Sequence, residues 1–195
     1  DCQRIFGILS GSMSHNTAFA FIQLGRKVER ADMTSRIVDV GSISMLPAFS
    51  RTSKQKLFLE PHENVVWMNV LRCVSGYQAY RQQTHSQVKG EEVVKFLLQN
   101  NEFPRSLGYC MNDIVRYLQM LPNNTEVLRA VARVRKVTTE VNISTLLERG
   151  LLDFIDELQI SIADIHEELN STWFNPVGVR KVQRKSQSQS QTQAS

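Results

Sequence analysis

Apolar residues recur along this chain at a spacing close to 3.6, and no long stretch alternates with a period of two, so the pattern predicts helices throughout. The clearest ladder runs from Leu151 to Trp173: Leu151, Ile155, Leu158, Ile162, Ile165 and Leu169 fall on one side, with Asp153, Asp156, Glu157, Asp164, Glu167 and Glu168 on the other. A second covers Glu63 to Arg81, where Val66, Val70, Cys73, Tyr77 and Tyr80 keep the helical spacing and Trp67, Leu71 and Val74 stand alongside. Gly76 falls inside it and marks close approach by another helix. Shorter ladders predict helices over Glu91 to Gln99, from Pro104 to Leu121, and from Thr125 to Val141. Pro104 takes the first helical position of its helix, which puts Arg105 in the first turn, and Asn123 with Glu126 reads as a capping box. Asp1 to Leu9 reads as the end of a helix running into a turn at Ser10, Gly11 and Ser12. The fold expected is an all-α bundle of about six or seven helices.

The stretch from Phe19 to Val40 has a different pattern. At 100° per residue, Phe21, Leu24, Val28, Ala31 and Val38 form one apolar arc, and Ile22, Met33, Ile37 and Val40 form another on the far side. A helix packed on both flanks is expected, capped by Ser14 or Asn16. Arg26, Glu29, Met33 and Arg36 share one line, with Arg30 and Asp32 on either side, so Glu29 is expected to be largely buried against at least one arginine. Removing one partner of a buried ion pair costs about 3–5 kcal/mol, yet an apolar replacement of the pair is often no worse, so stability alone is a weak reason for such a cluster. A site for a charged ligand or partner competes with it. Arg105 adds a cation where the helix dipole disfavours one, which points to a carboxylate or an anion at that end. Convergence of Arg105 on Arg26, Glu29, Arg30 and Arg36 would give a net positive pocket suited to a carboxylate or phosphate.

Length and composition fit one domain. The chain has 195 residues, 42% of them hydrophobic, enough for one sizeable core. The net charge of +4 comes from the tail: without Arg180, Lys181, Arg184 and Lys185 the body is neutral. The expected boundaries are a helical domain over 1–179 and a disordered basic, Gln/Ser-rich tail over 180–195. The polar stretch from Pro47 to Pro61 reads as a loop. Cys2, Cys73 and Cys110 stand too far apart to form a disulfide framework, which favours a cytoplasmic setting. No apolar run reaches the roughly 20 residues of a membrane span.

The motifs of chemistry narrow the field further. No HExxH, CxxC or GxSxG occurs, and His15, His62, His85 and His166 never pair at helical spacing, so neither a metal nor another cofactor is expected. Gly7 and Gly11 lack the Gly-Lys-Ser/Thr of a phosphate loop. The stripe of Arg129, Arg133 and Lys136 has no interleaved aromatics, which disfavours nucleic acid as a partner. No catalytic residue is assigned.

The segment LGRKVERADMTSRIVDV, Leu24 to Val40, resembles the hallmark of the bacterial alpha-E domain family, in which Glu29 of the ERA triplet matches the naming glutamate. Further similar stretches follow in order: the Met-containing turn from Ser12 to His15, then Trp67 with Leu71, Tyr77, Tyr80 and Arg81. FLLQNNEFPRSLGYC from Phe96 to Cys110 and the pair Trp173 and Phe174 complete the set. The resemblance implies an all-helical domain that is the C-terminal part of a longer protein. It also implies a role as scaffold or accessory subunit beside circularly permuted ATP-grasp and transglutaminase-like proteins, in peptide amide-bond formation or processing. Two other readings stay open: an enzyme that uses Arg26, Glu29 and Arg30, and a module that binds anions or nucleic acid. A peptide or another anion is the ligand expected.

Overall fold

In the computed structural model the described residues are 2–43, 64–84 and 87–175, and every regular element among them is helical. In chain order these are α1 (Cys2–Ser12), α2 (Thr17–Ile43), α3 (64–73), α4 (Tyr77–Gln83) and α5 (Gly90–Gln99). They are followed by α6 (Leu107–Leu118), α7 (Thr125–Glu140), α8 (Ile143–Arg149), α9 (Leu151–Leu169) and a closing π turn, Asn170–Phe174. The loop expected from Pro47 to Pro61 and the tail over 180–195 lie outside the described residues.

Four helices form the core, because α2 packs on α6, α6 on α7, α7 on α9 and α9 back on α2. The α9 ladder supplies one wall: Leu151, Ile155, Leu158, Ile162, Ile165 and Leu169 are all buried. Val127, Ala130, Val131 and Val134 of α7 meet Leu107, Cys110, Met111, Ile114 and Leu118 of α6 in the same apolar cluster. The side of α2 that enters it carries Ala20, Leu24, Val28, Ala31, Ser35 and Val38. Its small residues let neighbouring backbones come close. Gly41 leaves room for α3, since a Cβ there would lie 2.8 Å from Val70 Cγ2.

Caps decide where several helices begin. Asn16 Oδ1 accepts from the backbone N–H groups of Ala18 and Phe19, so of the two candidates it caps α2. Ser106 caps α6 by accepting from Tyr109 N, and Asn142 caps α8 by accepting from Thr145 N. The helix α6 therefore begins at Leu107. Pro104 and Arg105 sit in the turn before it rather than in its first turn, because the buried Ser106 hydroxyl is a better cap than any group upstream. The capping box expected at Asn123 is also absent: Asn123 is left-handed, with φ 58°, and Asn124 instead donates to the carbonyls of Leu118 and Leu121.

The ladder from Glu63 to Arg81 is split. Gly76 N donates to Leu71 O, closing α3, and Gly76 is the N-cap of α4. The close neighbour of Gly76 is Phe103 of the turn before α6, not a helix, since a Cβ at Gly76 would lie 2.9 Å from Phe103 Cζ. The segment read as the end of a helix at residues 1–9 continues helically through Ser12 as α1.

Candidate functional site

The residues between α5 and α6 are held by an unusually dense set of local bonds. Asn100 Oδ1 accepts from the N–H groups of Glu102 (2.8 Å) and Phe103 (2.6 Å), and its carbonyl accepts from Tyr109 N and the Ser106 hydroxyl. A Cβ on Gly108 would lie 2.9 Å from that same carbonyl, so glycine is what lets α6 start this close to the end of α5. The turn thereby points two carbonyls at α2. Pro104 O accepts from Arg30 Nη1 (3.2 Å) and Arg105 O from the buried Thr34 hydroxyl (2.8 Å). These bonds fix Arg105 beside the middle of α2.

An open groove of about 860 Å³ follows. Its walls are α1, the flank of α2, the end of α3 and the Arg105 turn. Arg26, Glu29, Arg30 and Arg105 line it together, and Phe6, Met33, Ile37, Cys73 and Val74 supply apolar surface. The Arg26 guanidinium lies over the Phe6 ring of α1, 4.4 Å from its centroid. The Arg30 guanidinium is shifted below its ordinary value, first by burial and then by the positive charges of Arg26 and Arg105. Among the described residues, no carboxylate forms an ion pair with Arg26, Arg30 or Arg105. Among the described residues that line it, the groove thus has three cations and one carboxylate, Glu29, with no ion pair between them.

Glu29 is exposed, which corrects the expectation that it would be largely buried against an arginine. The cause is the one-sided packing of α2. The core takes the side centred on Ala20, Leu24 and Ala31, and Glu29 points directly away from it. The second apolar arc is only partly covered, leaving Met33 47% and Val40 65% exposed. Asp32 and Arg36 stand apart from the groove and pair with each other at 2.7 Å, a contact that raises the Arg36 guanidinium above its ordinary value.

The buried charges of α2 lie elsewhere. Lys27 pairs with Asp113 of α6 in the helix interface, and Asp113 also accepts from Arg116 at 3.0 Å. The Lys27 ammonium lies 4.6 Å from the Tyr109 ring centroid. Tyr109 is raised by burial and by the Asp113 charge. Next to them, burial pushes the Cys110 thiol up to about 11. Sequence reasoning passed over Lys27 and Asp113. The signal was there in the spacing of Ala20, Leu24, Lys27 and Ala31, which puts a lysine at an apolar-face position of α2. Among the described residues, no group of three or more His, Cys, Asp and Glu side chains is placed to hold a metal ion. No helix among them is long and apolar enough to cross a membrane.

A family model called Alpha-E, described as a predicted alpha-helical domain with a conserved ER motif, matches residues 1–174. A 100-residue stretch is 32% identical to the cytoplasmic cysteine–tRNA ligase of Xenopus laevis. It covers 51% of this chain and 12% of that protein, so the likeness is to a small part of a much longer enzyme. No solved structure matches the chain.

Proposed function

The chain belongs to the alpha-E family, and on that premise we propose that it is a helical scaffold or accessory subunit in the cytoplasm. It works with a circularly permuted ATP-grasp protein, a transglutaminase-like protein, or both, in forming or processing peptide amide bonds. The observation that carries the reading is the groove where Arg26, Arg30 and Arg105 meet beside Glu29. We take Glu29 and Arg30 as the ER motif of the family. Cations placed by α2 and by the turn bonded to it, and without an ion pair among the described residues, are suited to hold an anionic group presented by or to another protein. The Arg36 and Asp32 pair, by contrast, is exposed and local, the kind of pair that contributes little.

Co-expression with the ATP-grasp protein encoded nearest to this one tests the proposal. A complex should survive affinity capture and elute together on size exclusion, and Arg30→Met should weaken it while leaving the helical content intact. Elution of the two proteins as separate species would overturn it. A second reading is favoured by one observation: Cys73 lines the same groove as Glu29, so a thiol and a carboxylate base share one space. If the chain is itself the enzyme, Cys73→Ser abolishes turnover without affecting the complex.

A further inference from the structure

We infer that the groove between α1 and α2 binds the C-terminal residue of a peptide, with its carboxylate on Arg26, Arg30 and Arg105 and its last amide N–H on Glu29. The inference rests on the scaffold reading and deepens it by naming what the groove takes. Three features of the groove converge on this ligand.

The first is charge. Three guanidinium groups against one carboxylate leave a net positive field in a space lined partly by apolar side chains, where charge-assisted bonds are stronger than in bulk water. Arg30 is the most pressed of the three. It is held by Pro104 O, partly desolvated and repelled by Arg26 and Arg105. An anion placed between them relieves that repulsion.

The second feature separates a carboxylate from a phosphate. Glu29 stands in the same groove without an ion-pair partner among the described residues. A fully ionised phosphomonoester presents only acceptors, so it offers Glu29 no donor to offset the like charge that any anion brings. A peptide end carries an acceptor and a donor close together: the terminal carboxylate and the N–H of the same residue. It satisfies the arginines and Glu29 at once, and it explains why a carboxylate sits among arginines that it does not neutralise.

The third is shape. The groove volume, about 860 Å³, falls within the range of about 300–1,000 Å³ typical of small-ligand sites. Its apolar surface comes from Phe6, Met33, Ile37 and Val74. Such a floor favours a large aliphatic or aromatic last side chain. Because the groove is open, the rest of the peptide can leave it into solvent or toward a partner enzyme.

The experiment is calorimetric titration of the full chain at pH 8 with acetyl-Ala-Ala-Leu bearing a free C-terminal carboxylate, with the same peptide as its C-terminal amide, and with phenyl phosphate, whose phosphate then carries no proton. The free acid should bind, and the amide should bind at least tenfold more weakly. Phenyl phosphate should compete poorly. Arg105→Met should weaken the free acid about tenfold or more, the scale of one charged hydrogen bond. Glu29→Gln should weaken it less, since the amide oxygen still accepts. Equal binding of acid and amide, binding of neither, or phenyl phosphate competing as well as the peptide would each overturn the inference. Copurification with the ATP-grasp protein, run in parallel, keeps the two ideas apart. A complex that forms while no peptide binds leaves the scaffold standing and removes this ligand; peptide binding without a complex does the reverse.

Discussion

Lys27 and Asp113 form an ion pair across the α2–α6 interface with side chains only 8% and 11% exposed. The partners are not equivalent. Asp113 has a second cation in Arg116, whose side chain reaches solvent, whereas the Lys27 ammonium has Asp113 and the face of Tyr109. Removing the acid strands a buried cation, and removing the lysine leaves Asp113 still paired. Asp113→Leu is therefore expected to cost about 3–5 kcal/mol and Lys27→Met clearly less. The double variant should recover most of the loss, because both buried charges are then gone. Urea unfolding midpoints of the four proteins check this. Equal losses for the two single variants would show that Arg116 contributes nothing.

The buried Cys110 thiol makes stability fall on the alkaline side. Its folded pKa is raised from the ordinary 9 to about 11, so between these values the folded chain holds a proton that the unfolded chain has released. Stability then declines as pH rises from 9 to 11 and gains nothing further below 9, with a total of roughly 2–3 kcal/mol at stake. Tyr109 and Tyr80 are raised too and act in the same direction. Thermal melts across pH 8–11 should show the decline, and Cys110→Ala should flatten it. Mass-mapped alkylation at pH 8 gives a second readout: Cys73, which is exposed, should react while Cys110 does so only on unfolding.

Much of the bundle was legible because its helices bury one clean side. The ladder of α9 and the apolar positions of α6 and α7 are buried where their spacing puts them. The break between α3 and α4 was hidden, since Val70, Val74, Tyr77 and Tyr80 keep an apolar rhythm straight through it. Only Gly76 hinted at it, and the left-handed Ser75 gave no signal. At the candidate site, the sequence named Arg26, Glu29, Arg30 and Arg105, which line one groove, and also Asp32 and Arg36, which do not. What it misjudged was depth. Two apolar arcs on α2 suggest two packed flanks, but burial of the second depends on whether another element packs there, and periodicity along α2 does not encode that.

Gly41 and Gly25 should respond oppositely to alanine, although both lie within α2. Glycine inside a helix is worse than alanine by about 1 kcal/mol, which favours replacement at either position. At Gly25 nothing lies within 4 Å of the new methyl, so Gly25→Ala should stabilise by about 0.5–1 kcal/mol. At Gly41 the methyl would meet Val70 Cγ2 at 2.8 Å and the Trp67 ring at 3.2 Å, both belonging to buried side chains. Overpacking of that kind costs about 1–3 kcal/mol and outweighs the propensity gain. Val70→Ala in the same chain should restore part of the loss in a thermal melt. A stabilised Gly41→Ala variant would mean that α3 does not press on α2 there.

Thr34 tests whether the position of Arg105 is imposed by the fold. Its hydroxyl is buried and donates at 2.8 Å to Arg105 O, the bond that ties the turn before α6 to α2. Thr34→Val keeps the shape and removes the donor, leaving a carbonyl with less than its due, for which about 1–3 kcal/mol is the expected cost. The effect should be local as well as global. Arg30 still donates to Pro104 O, so the turn stays attached at one point and pivots there instead of detaching. Amide exchange should accelerate around residues 103–106, while the α7 and α9 amides change only by the global loss of stability. Because Arg105 then samples more positions, the groove should lose affinity for the free-acid peptide even though none of its charged residues has been replaced. If exchange at 103–106 is unchanged and the peptide binds as before, the Asn100 and Ser106 bonds hold the turn by themselves and α2 only rests against it.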